Sequence, residues 1–444
     1  MNRTKNTFLV AFALFSLFFG AGNLILPPLL GFRSGMLWWA VSLGFCVSAV
    51  LIPILGIWAH AKLQGTMFDF AKTVSPSFSL AYCYLVYAIS ISLPSPRTAA
   101  VTHEMAIAPF FELPAIVTSI TYFALVFLFV MNRSRILDIV GKILTPAIIL
   151  ILVAIIGTAL FNFDFGFGEN QFPSPFSHGL LEGYQTFDAI GAVVVGGVII
   201  ISINLKNNSA SYPEKKKLIA QAGSLAGLGL FLIYTGLIIT GALFHDGFDL
   251  KISRTALLNG ISLRTLGSTA NMLLSLLVAL ACFTTAVGIV AGTADFVSGR
   301  FNNSKRAYLS TAVIGCIIGI LVGQFNVGYI IAVALPALMF IYPITIILIL
   351  LNVLPEKYTA PKVFRWVIAV TILFSIPDFW ETMVLIQEYS TSKFWNYIEV
   401  VQNTFPIHKL KPLIPLSKFH LGWVLPSSVA FIVLNSLQAW KNRA

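Results

Sequence analysis

Apolar residues run along this chain in stretches of about 20 residues, the length an α-helix needs to cross a bilayer. Short polar segments separate them. The runs predict helices over 7–31, 36–60, 78–107, 113–131, 138–161, 182–203, 216–244, 266–298, 308–323, 327–351, 364–385 and 421–440. Residues 386–420 mix aromatic, polar and proline positions and read as an external loop with a partial helix. Arg3 and Lys5 precede the first run as they would in a signal peptide, but the run continues past Asn23 and through Pro27 and Pro28, so it reads as a span.

Composition agrees with the pattern. Of 444 residues, 57% are hydrophobic and only 10% charged, and mean hydropathy is +0.88. Soluble proteins carry about 25% charged residues. A cytosolic enzyme, a disordered chain and a secreted disulfide scaffold are thereby excluded. The fold class is an all-α polytopic membrane protein with about 12 transmembrane helices, and the lipid bilayer is its first partner. The net charge of +11 would suggest nucleic acid in a soluble protein. Here no nucleic acid is expected, because the cations sort by loop. With the N-terminus inside, loops on that side hold more than twice as many Lys and Arg residues as loops opposite, which places both termini in the cytoplasm. Asn-x-Ser sequences at Asn132, Asn207 and Asn302 then fall on the cytoplasmic side and are not glycosylation sites. Cys46, Cys83, Cys282 and Cys316 lie in apolar stretches without metal-ligand spacing and read as packing residues.

Two spans are interrupted. The first contains Phe18-Phe19-Gly20-Ala21-Gly22-Asn23, and the sixth Tyr184-Gln185-Thr186-Phe187-Asp188-Ala189-Ile190-Gly191. Glycine, asparagine and polar residues form helix poorly, and unwound backbone at membrane depth needs a protein cavity to shelter it. The first span enters from the cytoplasm and the sixth from outside, so a block beginning five spans later is inverted. Polar positions pair across the blocks, Ser90 to Thr98 with Thr284-Thr285, and so do the prolines Pro146 and Pro336. An inverted five-helix repeat with broken first helices predicts a secondary transporter with its site at the breaks. The repeats span 1–161 and 162–362, and two further helices with the external loop occupy 363–444.

The breaks suggest chemistry. Freed N–H groups near Ala21, Gly22 and Asn23 suit an anion, and carbonyls around Gln185, Thr186 and Phe187 suit an ammonium, so together they suit a zwitterion such as an amino acid. Phe19, Phe187, Ile190 and Ile289 make the surroundings apolar. Thr284 and Thr285, with carbonyls of Ser16 and Phe19, offer neutral oxygens to a small cation. Membrane threonines also commonly bond their own helix backbone. Arg97 and Asp188 lie inside spans and either pair with each other or serve function; Asp188 is the candidate for orienting an ammonium or carrying a proton. Gly315, Gly319 and Gly323 form a helix-packing pattern. Enzyme motifs are nearly absent: His103-Glu104 has no histidine at position 107, Asp246 and Asp249 form a single D-x-x-D, and there is no P-loop.

The stretch Phe18 to Pro28 resembles the first helix of the bacterial branched-chain amino acid:cation symporters. Leu181 to Ala189 resembles that family's sixth helix, and Pro96-Arg97-Thr98, Thr284 to Gly288 and Leu335 to Pro343 are similar to it too. Gln185 and Ile190 depart from its pattern. The resemblance implies a LeuT-type fold, a 5+5 inverted repeat plus two C-terminal helices, in a bacterial cytoplasmic membrane. It implies leucine, isoleucine and valine as substrates, and Na⁺ or else H⁺ as the driving ion. It implies Gly20, Ala21, Gly22 and Asn23 with the segment from Tyr184 to Asp188 as the substrate site. Ser16, Phe19, Thr284 and Thr285 are then the sodium site. Other readings are the same fold carrying another small zwitterion or a nucleobase, and a channel.

Overall fold

The computed structural model describes residues 3–132, 136–194, 196, 211–386 and 411–441. Most of the segment 386–420, Asn207 and the end of the sixth predicted span lie outside the described residues. All regular structure among the described residues is helical. Among the described residues, eight helical segments are long and apolar enough to cross a membrane, and three shorter apolar helices accompany them.

The predicted breaks are present. The first span is two helices, Arg3–Phe18 and Ala21–Ser34, interrupted at Phe19-Gly20. Pro94 interrupts the third, which runs as Pro76–Ser92 and then Pro94–Thr102. The sixth begins earlier than predicted, at Pro175, with proline in its first turn where a missing N–H costs nothing. It stops at Tyr184 and resumes at Asp188. The largest correction concerns residues 254–266, expected as loop. They are helical, continuous with the eighth span except for a turn at Gly267, whose φ is +82°. Ser253 Oγ caps the new helix by accepting the Ala256 N–H at 3.2 Å. Leu257, Leu258 and Ile261 are buried while Leu263 is exposed, so the segment is an amphipathic surface helix, too polar to register as a span.

The chain forms two compact units, each assembled from both halves of the sequence: residues 1–46, 87–187 and 224–331, and residues 47–86, 188–223 and 332–444. In the first, Ala99, Phe123, Val126, Val287, Val290 and Ala312 belong to one core that joins four helices. In the second, Lys62 Nζ donates to the carbonyls of Asn352 and Leu354 at 3.1 and 2.6 Å, and Asn352 Nδ2 donates to the Phe70 carbonyl at 2.9 Å. The four cysteines are buried and free, in keeping with a packing role.

Glycine sets the closest helix crossings of the first unit. A Cβ on Gly31 would lie 1.7 Å from the Ile238 carbonyl oxygen, and one on Gly241 1.9 Å from that of Pro28. Gly44 and Gly179 oppose the carbonyls of Phe176 and Val41 in the same way. Gly315, Gly319 and Gly323 meet Ile91, Phe123 and Ser119, as their spacing predicts. Backbone cannot yield as a side chain can, so Gly31→Ala should cost more than the roughly 3 kcal/mol of ordinary overpacking. Gly157→Ala, with open space around its Cβ, is the control. Thermal unfolding of the purified protein in detergent should show a lowered midpoint for Gly31→Ala alone.

Candidate functional site

The first break is organised by Asn23. Gly20 N–H would bond the Ser16 carbonyl in a continuous helix. Here it donates instead to Asn23 Oδ1 at 3.2 Å. The Ser16 carbonyl loses its helical partner, and a new helix begins at Ala21, whose first turn has no carbonyl four residues back within the helix to receive its N–H groups. Asn23 Nδ2 in turn donates to Tyr234 Oη. Sequence reading missed Tyr234; its only signal was a phenol inside an apolar run.

The second break is a tight turn. The N–H groups of Gln185, Thr186 and Phe187 donate to the carbonyls of Glu182, Gly183 and Tyr184 at 3.0, 3.2 and 3.1 Å, three residues back rather than four. Thr186 Oγ1 also donates to the Gly183 carbonyl, at 2.8 Å. Phe187 adopts φ +63°, a left-handed conformation that costs a bulky residue of order 1–3 kcal/mol. Buried Asp188 opens the helical stretch that follows, in the second unit.

Arg97 joins the two breaks. Its Nη1 donates to the Gln185 carbonyl at 2.7 Å, and its guanidinium lies 5.3 Å from the centre of the Phe187 ring. A Cβ on Gly22 would be 2.6 Å from Arg97 Nη2 and 3.2 Å from the Gln185 oxygen. A buried cation, 4% exposed, therefore sits against the start of helix Ala21–Ser34. Helix dipole and guanidinium add positive potential at one place. This revises one expectation. The Gln185 carbonyl, read as open to an ammonium, is engaged by Arg97. The Gln185 side chain offers an acceptor in its place: Nε2 reaches the Ile331 carbonyl at 3.4 Å, while buried Oε1 has no partner among the described residues.

Thr284 Oγ1 and Thr285 Oγ1 both donate to the Ala281 carbonyl, at 3.0 and 2.9 Å. That is the backbone bonding common to membrane threonines. A hydroxyl that spends its proton on backbone keeps its oxygen lone pairs to offer elsewhere. The position is suggestive, since Thr285 Oγ1 is 3.6 Å from an ideal Cβ on Gly20, so it faces the first break. Ser16 Oγ accepts from Thr145 Oγ1 at 2.8 Å, a partner that the sequence did not single out. Phe19 stacks on Phe15 at 5.1 Å and, more loosely, on Tyr234 at 6.3 Å.

Known proteins resemble this chain along nearly its whole length. The branched-chain amino acid transport system 2 carrier protein of Pseudomonas aeruginosa is 31% identical over 432 residues, 96% of this chain and 94% of that one. The branched-chain amino acid permease BrnQ of Bacillus subtilis is 32% identical over 436 residues, 94% of this chain and 93% of that one. Among solved structures, inward-facing Mhp1 superposes with TM-score 0.58 at 13% identity, covering 90% of this chain and 92% of that one. MhsT in complex with L-phenylalanine gives 0.54 at 15%, covering 96% and 97%. At those identities the likeness is one of fold, the LeuT type. The relatives are transporters and permeases rather than enzymes. The family described as branched-chain amino acid transport protein matches residues 3–441, and this chain belongs to it.

Proposed function

We propose that the protein is a symporter that takes up leucine, isoleucine and valine together with Na⁺ by alternating access. Residues 1–161 and 162–362 are its two inverted repeats, and it sits in a bacterial cytoplasmic membrane with both termini inside. The observation that carries the substrate site is the junction at Arg97. The guanidinium stands against the N-terminus of helix Ala21–Ser34, and Gln185, whose carbonyl it bonds, carries a buried side-chain Oε1 with no partner among the described residues. A zwitterion's carboxylate suits the guanidinium and its ammonium suits Gln185 Oε1. Phe19 and Phe187 supply apolar surface for an aliphatic side chain.

Na⁺ is assigned to Thr284 and Thr285 with the carbonyls of Ser16 and Phe19. The released Ser16 carbonyl and the approach of Thr285 to Gly20 support that assignment. The set is neutral and does not titrate in the physiological range. Energetics favour a coupled ion, since a zwitterion carries no net charge for the membrane potential to pull. One Na⁺ gains roughly 2.3 kcal/mol from 100 mV. A tenfold gradient brings the total to about 3.7 kcal/mol, enough for roughly 500-fold accumulation. Proton coupling is the second reading, with buried Asp188 as the carrier.

Labelled leucine uptake into proteoliposomes separates the two. An inward Na⁺ gradient alone should drive uptake, and Thr285→Val should raise the Na⁺ concentration for half-maximal uptake at least about tenfold, as expected for loss of a ligand. Uptake driven only by a proton gradient, and abolished by Asp188→Asn, would instead select the proton reading.

Glycine substitutions test the substrate site in the same assay. Gly22→Ala drives a methyl group into Arg97 and the Gln185 carbonyl and should lower leucine uptake at least about tenfold. Gly20→Ala meets only ordinary contacts from an extended backbone and should lower it less. Equal losses would argue against the Arg97 junction as the site.

A further inference from the structure

A charge cluster in the second unit has no part in this transport scheme. Asp378 and Glu381 stand three residues apart on helix Pro361–Ile386, a spacing that puts both carboxylates on one face. His420 follows the short turn Ser417–Phe419. Its N–H donates to the Ser417 carbonyl at 3.0 Å, and Ser417 Oγ donates to the Lys411 carbonyl at 2.6 Å, which fixes the segment locally. His420 Nδ1 lies 3.5 Å from Asp378 Oδ1 and 3.3 Å from Glu381 Oε2. Asp378 is 3% exposed, yet neither of its oxygens accepts a hydrogen bond among the described residues. The nearest compensating charge is Lys411 Nζ, 3.4 Å from Asp378 Oδ1. That ammonium also pairs with Glu381 Oε2 and lies 3.4 Å from His420 Nδ1.

The two separations from His420 Nδ1 match donors sharing one small ion, and the three donor atoms all lie within 4.8 Å of one another. Two ligand atoms bound at about 2.1 Å to a tetrahedral cation sit about 3.4 Å apart. One imidazole nitrogen with two carboxylates is a donor set for Zn²⁺ and its neighbours, whereas Ca²⁺ asks for six to eight oxygens. Charge leads the same way. Lys411 neutralises one of two carboxylates, and a buried carboxylate lacking hydrogen bonds is costly. A dication neutralises both. Glu381 and His420 are partly exposed, which gives an ion a way in.

The geometry points to a site for a borderline divalent cation of the Zn²⁺ class, built by Asp378, Glu381 and His420, with Lys411 as a tethered competitor in the ion's place.

Calorimetric titration of the purified full-length protein with Zn²⁺ tests this, with the visible absorption of added Co²⁺ as a second readout of coordination. Lys411→Met should bind Zn²⁺ at least about tenfold more tightly than the parent. In that background, Asp378→Asn and His420→Gln should each weaken binding at least about tenfold and remove the intense Co²⁺ band. His420 is partly exposed, so His420→Gln remains informative if Asp378→Asn does not fold. The site is refuted if Lys411→Met binds no Zn²⁺, or if His420→Gln leaves its binding unchanged. Equal affinity in the parent and Lys411→Met overturns the competitor role.

Discussion

A charge-assisted hydrogen bond from Arg97 to the Gln185 carbonyl ties the two breaks of the candidate site to each other. Unwinding a helix inside a membrane frees backbone groups that lipid cannot satisfy. A guanidinium is well suited to meet such a carbonyl, because it stays charged and donates in a fixed plane. Its own burial is tolerable only where acceptors and a ring face surround it. The Gln185 oxygen and the Phe187 ring provide them, and Gly22 leaves room for the approach. Each irregularity thus supports another. The glycine admits the arginine, the arginine satisfies the break, and the break gives Phe187 its left-handed turn.

Much of this was legible in the sequence because membranes enforce strict rules. A span cannot tolerate Gly20-Ala21-Gly22-Asn23 or Gln185-Thr186 without a reason, so both breaks stood out against their apolar flanks. Pro94 interrupts the third helix as well, because proline has no N–H to give a helix interior. What escaped was whatever depends on distance rather than residue type. Residues 254–266 carry two arginines and a helical apolar face, and hydropathy registers the arginines while the face emerges only against a neighbour. The sequence ranks charges and so singled out Arg97 and Asp188, but it could not show that the guanidinium bonds the Gln185 backbone oxygen, which no sequence displays as unusual. Tyr234 and Thr145 take part through hydroxyls that look like any other in an apolar run.

The threonines show how one bond serves two readings. Donation by Thr284 and Thr285 to the Ala281 carbonyl is ordinary helix behaviour. It also fixes both hydroxyl rotors, so that each oxygen keeps its lone pairs in a set direction. A cation site built from neutral oxygens depends on such preorganisation, because it has no formal charge to offset the loss of the ion's hydration shell.

In the proposed symporter this geometry bears directly on coupling. Thr285 faces Gly20, and Arg97 faces Gly22, two residues further along the same break. A cation at the first position and a carboxylate at the second share one short stretch of backbone. Binding either one orders that stretch, so the other binds to a site already partly organised. Their opposite charges attract across a medium of low dielectric constant, which adds to the effect. Linkage requires the coupling to be reciprocal: whatever Na⁺ adds to amino acid affinity, the amino acid must add to Na⁺ affinity. A break whose two sides bind separate partners is therefore enough to join their binding, without any contact between the ion and the aliphatic side chain of the substrate.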